Sequence, residues 1–594
     1  MLKKIFITLN IQGITPCQNN HFRYVIVLSS QSLIKQTSNH INSIKIVLIG
    51  EFIKHRSFNG ANKALPVLAS SLVNAGFSQV VQLDLERRDL SFDDVLNETR
   101  NADLIVFAGC LTSQWPEIDE HSHKIFTELR KSGKENVPIL VGGYATKGVA
   151  DIARITPWIT AFCDGEGEES IIEIAYAVAK GTFYQQQKHL PGLCFINQDG
   201  NFHSVNLDNH SDRENLVFHH AIAPRVNNFD DIDQNFGLIH IPEIHDMDIF
   251  KSPEGRQLKT AQIFTQRGCP WQCGFCNKSK ESNNVVRLSE ASFRRQLQQL
   301  KKRGYQAVYL DVDTFTVHEL AAKQEAKILK EEGFVWGSNT RIDKINYEGI
   351  QYLVEHNCVY MFFGVEHTLP EVSLACHKFN GSTLSQIKQA FEYPQKIIKV
   401  FEAMNLAGLP SSYFLILGLP KAKLNADQTE ILGYETTTLA DDIQAIRFGI
   451  EKCNPDFLNF NVMRFMPGSI AADTMGDCSY SCVRPSGKQP ITAGYFLPRA
   501  VNHYGYPQSK EHGVYRLCES VSRYQPITTA INPQRVYDTI CYAMQLINAK
   551  IDAGGKATKL FIDRELLSLG LVTQDKLGRY SIAPLSEFAK FANI

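Results

Sequence analysis

At 594 residues the chain is too long for one hydrophobic core and fits about three domains. Its 61 basic and 62 acidic residues give a net charge of -1 with no basic run, which excludes an electrostatic footprint for nucleic acid or an anionic membrane surface. Fourteen cysteines, mostly isolated in apolar stretches, do not form a secreted disulfide framework, and no apolar run approaches the ~20 residues that span a bilayer. The expected setting is cytoplasmic, with a small or neutral partner, no nucleic acid and no membrane.

The opening "MLKKIFITLNIQGI" has the charge of a signal peptide, but Asn10 and Gln12 interrupt it and no small-residue cleavage site follows, so residues 1–43 read as an N-terminal extension. From residue 44, β-rich runs at 44–50, 80–85, 103–109, 137–143 and 158–165 alternate with helical segments. The first helix carries Leu65, Leu68, Ala69, Leu72 and Val73 on one face and stops at Gly76. This α/β pattern predicts a doubly wound parallel sheet over 44–205, with a ligand crevice at the carboxyl ends of its strands. Those ends carry Gly50, Gly109, Gly142, Gly143 and the "DGEGEE" turn with Gly165 and Glu166. Glycine there either admits a large flat ligand close to the backbone or simply turns strand into helix. The polar stretch 206–257, with His219 and His220, reads as an irregular surface linker without a metal.

Between 258 and 470 the alternation resumes, with strands expected at 260–266, 307–313, 334–341, 359–366, 412–418 and 457–465. A helix capped by Ser289, with Phe293, Leu297 and Leu300 on its apolar face, joins the first two. Six such steps predict a partial (β/α)6 barrel whose mouth lies at the carboxyl ends of the strands. Directly after the first strand comes "TQRGCPWQCGFCNKS", with Cys269, Cys273 and Cys276. This C-x3-C-x2-C spacing brings three thiolates to one loop without a fourth, which suits a 4Fe-4S cubane with one iron left open. Zinc with a distant fourth ligand, or three unliganded thiols, are the alternatives. Structural zinc favours paired C-x2-C knuckles, whereas Cys478 and Cys482 have three residues between them. Polar residues close the other strands: Asp311, Asp313 and Thr314, then Asn339 and Arg341, then Glu366 followed by His367. Residues 471–594 predict a small, mostly helical C-terminal domain with helices at 509–523 and 533–552 and a terminal β-hairpin, placed to close the mouth and choose the substrate. Cys478 and Cys482 read as free thiols, too few for an auxiliary cluster.

The cysteine motif, with Phe275 before its last cysteine, resembles that of the radical S-adenosylmethionine (radical SAM) superfamily. The resemblance implies that the open iron chelates the amino and carboxylate groups of S-adenosylmethionine (SAM) and that reductive cleavage yields a deoxyadenosyl radical. It further implies SAM contacts at Phe275, Asp311, Asp313, Asn339, Arg341, Glu366 and Gly418, and at the backbone of Val462 and Met463. Residues 44–205, through "ALPVLASSLVNAGF", "ADLIVFAGCLTSQ", "VGGYAT", "DGEGEESIIEIA" and "PGLCFINQDGNF", resemble the cobalamin-binding domain that precedes the barrel in one large group of these enzymes. That implies cobalamin near Gly109, Gly142, Gly143, Gly165 and Glu166. Where a D-x-H-x-x-G motif would supply a histidine lower ligand, "HRSFNG" has His55 and Ser57, so the implied cobalamin lacks one. The implied activity is cobalamin-dependent methyl transfer to an unactivated position of a small-molecule or peptide substrate, with electrons from a flavodoxin or ferredoxin. A radical rearrangement, cyclisation or oxidation is the alternative within enzymes, and a non-catalytic iron-sulfur redox protein the alternative outside them.

Overall fold

A computed structural model describes residues 43–50, 62, 64–85, 90–110, 115–143, 146, 156, 158–197, 217–219, 221–232, 234–241, 243, 249–252, 254–276, 284–463, 533–560 and 570–587. The N-terminal extension up to 42, the "HRSFNG" segment, His220, Cys478, Cys482 and the expected helix at 509–523 lie outside the described residues.

The first unit is built from β1 (Lys45–Gly50), α1 (Ala64–Asn74), β2 (Gln79–Asp84), α2 (Phe92–Thr99), β3 (Leu104–Phe107), α3 (Trp115–Lys131), β4 (Ile139–Gly142), β5 (Ala161–Cys163), α4 (Gly167–Ala179), β6 (Leu193–Asn197) and β7 (Val217–His219). The sheet order is β2-β1-β3-β4-β5-β6-β7, with β1 to β5 parallel and the last two strands antiparallel. Helices cover both faces, so β1 and β3 can be apolar along almost their whole length. The 2-1-3-4-5 order puts the switch point between β1 and β3, as the doubly wound reading requires.

Two expectations shift here. The run 158–165 is strand only over Ala161–Cys163, since Trp158 turns aside and its indole N–H donates to Ser122 at 3.0 Å. The stretch 206–257 is not simply a surface linker. Val217–His219 pairs with β6, and the His219 ring lies 4.8 Å from that of Phe195. Beyond it, Val226, Phe229, Phe236, Ile239 and Ile241 are buried in a core continuous from one face of this sheet into the barrel. The polar composition concealed these spaced apolar anchors.

The barrel comprises β8 (Thr260–Ile263), β9 (Gln266–Arg267), β10 (Val286–Arg287), α5 (Glu290–Lys302), β11 (Ala307–Leu310), α6 (Glu319–Glu331), β12 (Val335–Arg341), α7 (Tyr347–Glu355), β13 (Cys358–Glu366), α8 (Pro370–Ala375), α9 (Thr383–Ala407), β14 (Ser411–Leu417), β15 (Pro420–Leu424), β16 (Ile431–Thr436), α10 (Leu439–Phe448) and β17 (Phe457–Val462). The six expected strands are parallel neighbours in the order β8-β11-β12-β13-β14-β17. The first is interrupted, because β9 leaves the barrel to pair antiparallel with β10. Under this small ladder the buried Glu325 accepts from Thr265 at 2.8 Å and from Arg287 at 3.0 Å. The hairpin β15–β16 is an addition to the expected strand pattern. The C-terminal part adds α11 (Pro533–Asp552), then β18 (Lys559–Leu560), which extends the barrel sheet parallel to β17, and the hairpin β19 (Val572–Gln574) with β20 (Tyr580–Ile582). This segment therefore contributes to the barrel sheet itself as well as forming helix and hairpin.

Candidate active site at the barrel mouth

The cysteine loop leaves β9 through Gly268, whose φ of +104° is in the left-handed region and where a Cβ would lie 2.2 Å from the Asn284 carbonyl oxygen. Its N–H donates to Asp313 at 2.9 Å. Further along, Gly274 N–H donates to the Cys376 carbonyl at 2.7 Å and Cys276 N–H to that of Cys273 at 2.9 Å. Cys269, Cys273 and Cys276 are half-buried and lie outside any disulfide among the described residues. Burial pushes the Cys269 thiol up. Among the described residues no three His, Cys, Asp or Glu side chains converge closely enough to hold one metal ion. A cubane spans more space than a single ion, so three thiols spaced along one loop fit the cluster better than mononuclear zinc.

The strand ends expected to meet SAM converge on this mouth, yet several are already engaged by the protein. Asp311 accepts from the Gln262 amide. Asp313 fixes Gly268, as noted. Asn339 donates to the Val312 carbonyl at 2.5 Å, while its own Oδ1 is buried without a partner among the described residues. That orphan acceptor fits an ammonium such as SAM carries. Arg341 is extensively engaged: Nε and Nη2 hold Asp343 at 3.0 and 3.2 Å, Nη2 also donates to the Lys378 carbonyl at 2.7 Å, and Nη1 donates to the Cys273 sulfur at 3.2 Å. Its guanidinium lies 4.6 Å from the Trp271 ring centroid. The guanidinium therefore also serves the cysteine loop.

Glu366 has φ +61°, which folds its carboxylate back over Gly364 onto Lys378. The Lys378 ammonium, buried, also donates to the Gly364 carbonyl at 2.9 Å. Burial, reinforced by Arg341, pushes that ammonium down, while Cys273, Asp343 and the Glu366 contact act the other way. Gly418 has φ +76° and its backbone hydrogen-bonds Asp442, which is locked to Arg535 of α11. Val462 pairs with Leu417, to whose carbonyl Met463 donates at 2.8 Å, so both strand-end backbones serve the sheet. Phe275 is half-buried within the loop.

At the first sheet, the expected corrin-admitting glycines are filled by the chain itself. A Cβ on Gly109 would lie 2.7 Å from Asn62 and Ala64 atoms, on Gly143 2.5 Å from the Cys110 nitrogen, and on Gly165 3.0 Å from the Ala223 nitrogen. Close approach of the protein's own loops thus requires glycine at these three positions. Gly142 alone has ordinary space, its nearest neighbour being Cys163 Cβ at 3.8 Å. Glu166 is likewise engaged, accepting from Val226 N–H at 2.6 Å and pairing with Arg267 at 3.3 Å. Arg267, two residues before Cys269, also pairs with the buried Glu168 at 2.5 Å. Burial opposes the Arg267 charge, but Glu168 and Glu166 more than offset it and hold the cation. The cysteine loop is thus tied ionically to the "DGEGEE" turn at the start of α4. Sequence reasoning missed Arg267, Glu168, Asp343 and Lys378.

The fold and the three-cysteine loop define an α/β enzyme with an iron-sulfur barrel site. Residues 263–426 match the sequence profile of the Radical SAM superfamily, so this part of the chain is a radical SAM domain, and a 4Fe-4S cluster and SAM are the cofactors of that superfamily. The chain is 23% identical over 390 residues to an uncharacterized methyltransferase of Pyrococcus horikoshii, covering 64% of this chain and 71% of that protein. It is 23% identical over 284 residues to the anaerobic magnesium-protoporphyrin IX monomethyl ester cyclase of Rubrivivax gelatinosus, of whose length it spans 46%. Among solved structures it is similar in fold to the radical SAM methyltransferase TsrM from Kitasatospora setae, with TM-score 0.55 and 14% identity over 86% of this chain and 90% of that one.

Proposed function

We propose that the chain is a cobalamin-dependent radical SAM methyltransferase acting on an unactivated carbon of a small-molecule or peptide substrate. The observation that carries this reading is the 2-1-3-4-5 doubly wound sheet joined to the cysteine loop through Glu166, Glu168 and Arg267. A domain of that topology offers its crevice at the β1/β3 switch point. When bound, the cluster with SAM supplies one-electron chemistry and cobalamin a transferable methyl group.

The residues divide the remaining work. Cys269, Cys273 and Cys276 hold the cluster, Asp313 fixes the loop at Gly268, and Asn339 Oδ1 accepts from the SAM ammonium. Positioning of two cofactors and a substrate in one cavity then supplies much of the rate. The similarity to the P. horikoshii methyltransferase and the fold of TsrM support methyl transfer, and the similarity to the R. gelatinosus cyclase supports a second reading, radical cyclisation or oxidation. Electrons come from an external donor such as flavodoxin or ferredoxin, and a partly exposed cluster loop suits the reducing cytoplasm. No helix among the described residues is long and apolar enough to cross a membrane.

The test is a titration of the anaerobic full chain with hydroxocobalamin, followed by gel filtration and absorbance. Stoichiometric retention supports the reading; free passage of cobalamin sinks the methyl-transfer version.

A further inference from the structure

Every polar atom of the Arg341 guanidinium is directed by a neighbour, and one of them meets a cluster cysteine. Asp343 grips Nε and Nη2, the Lys378 carbonyl takes Nη2 as well, and the Trp271 ring supports the group's face, leaving Nη1 to donate to the Cys273 sulfur at 3.2 Å. We propose that Arg341 is a positioning residue for the cluster, holding the Cys273 thiolate in place and stabilising the added negative charge when the cluster gains one electron. This rests on the radical SAM reading and extends it.

The physical basis is direct. A cation and a charge-assisted hydrogen bond at a ligand sulfur favour the more negative oxidation state, so they raise the reduction potential. The arrangement is also pre-organised. A guanidinium clamped on both edges by Asp343 and the Lys378 main chain pays little further ordering cost to donate to sulfur. Arg341 is itself buried, where such an interaction is screened least. Lys344 gives the internal comparison: its ammonium lies 5.1 Å from the same Trp271 ring and pairs with the same Asp343 at 3.7 Å, so it contributes nearby charge from a more exposed position.

The experiment uses the full chain reconstituted anaerobically with iron and sulfide. Iron and sulfide are counted, and the one-electron potential is read by electron paramagnetic resonance during titration with dithionite and mediators. For Arg341→Gln the account expects about a tenfold weaker hold on the electron, ~59 mV more negative, or loss of iron at unchanged circular dichroism. Lys344→Gln is expected to move the potential much less. Where Arg341→Gln loses its circular dichroism, Arg341→Lys, which keeps charge but not the fork, is read by the same criteria. Wild-type iron, sulfide and potential in the Arg341 variant overturn the inference while leaving the enzyme reading intact. A wild-type chain that assembles no 4Fe-4S cluster overturns both.

Discussion

Replacing Arg267 by Met removes the cation that two carboxylates share, and its consequence can be worked from the geometry. Glu168 is buried, with Oε2 lacking a partner among the described residues, and Glu166 keeps only the Val226 N–H besides Arg225 at 3.9 Å. Removing one partner of a buried pair costs about 3–5 kcal/mol, and because the Arg267 side chain retains 22% exposure the low end applies, about 3 kcal/mol. That corresponds to roughly a hundredfold rise in local opening. Hydrogen exchange read by mass spectrometry on apo-protein peptides covering 164–179 and 260–276 should speed by about that factor in both. Glu168→Gln, which leaves Arg267 with Glu166, should cost only about 1 kcal/mol. The double variant Arg267→Met/Glu168→Gln should recover part of the loss, with a coupling of about 1–3 kcal/mol. Unchanged exchange in either peptide, or effects that simply add, would refute the idea that this bridge ties the cysteine loop to the first sheet.

Three further outcomes are expected. Cys269→Ala, Cys273→Ala and Cys276→Ala each abolish the iron-sulfur absorbance and SAM cleavage, whereas Cys478→Ala preserves both; a Cys273→Ala protein that still cleaves SAM would contradict the ligand assignment. Gly143→Ala forces a side chain at φ +107° to within 2.5 Å of the Cys110 nitrogen, so thermal unfolding should show a loss of about 1–3 kcal/mol or more. His367, fully buried with Nδ1 accepting from Leu369 N–H at 3.2 Å, is pushed down to about 4 by burial. A folded value below the ordinary one means that stability is complete above about pH 6.5 and is lost as pH falls toward 4. Urea midpoints should therefore register about 2 kcal/mol of loss from pH 8 to pH 5, a component absent in His367→Gln. An equal pH dependence in that variant would assign the effect elsewhere.

Both sheets were legible because their strands are short apolar runs broken by helices with one apolar face, as at Leu65 to Val73. The cysteine loop was legible because spacing alone fixes three thiolates to one turn. Other features failed for identifiable reasons. A glycine that admits a ligand and one that admits the protein's own loop look the same in sequence, and the close approach of such loops at Gly109, Gly143 and Gly165 could not be read from it. Arg341 sits at a strand end, as a ligand contact would, and only Asp343 two residues on hinted that its charge was already matched. Lys378, in the polar run "CHKFNG", gave no signal of burial, since its partner Glu366 lies across a helix. The hairpin β15–β16 does leave a trace in the alternation of "PKAKL" and the Asn425 turn, but it is weak beside the stronger βα rhythm.

The most direct test of the central claim is mass spectrometry of nucleoside products after anaerobic incubation of the reconstituted chain with SAM and a strong reductant, with and without cobalamin. The account predicts deoxyadenosine in both, with S-adenosylhomocysteine formed only when cobalamin is present. Deoxyadenosine with no cobalamin-dependent S-adenosylhomocysteine would contradict methyl transfer and favour cyclisation or oxidation. Neither product from a chain with a full cluster would contradict the enzyme reading itself.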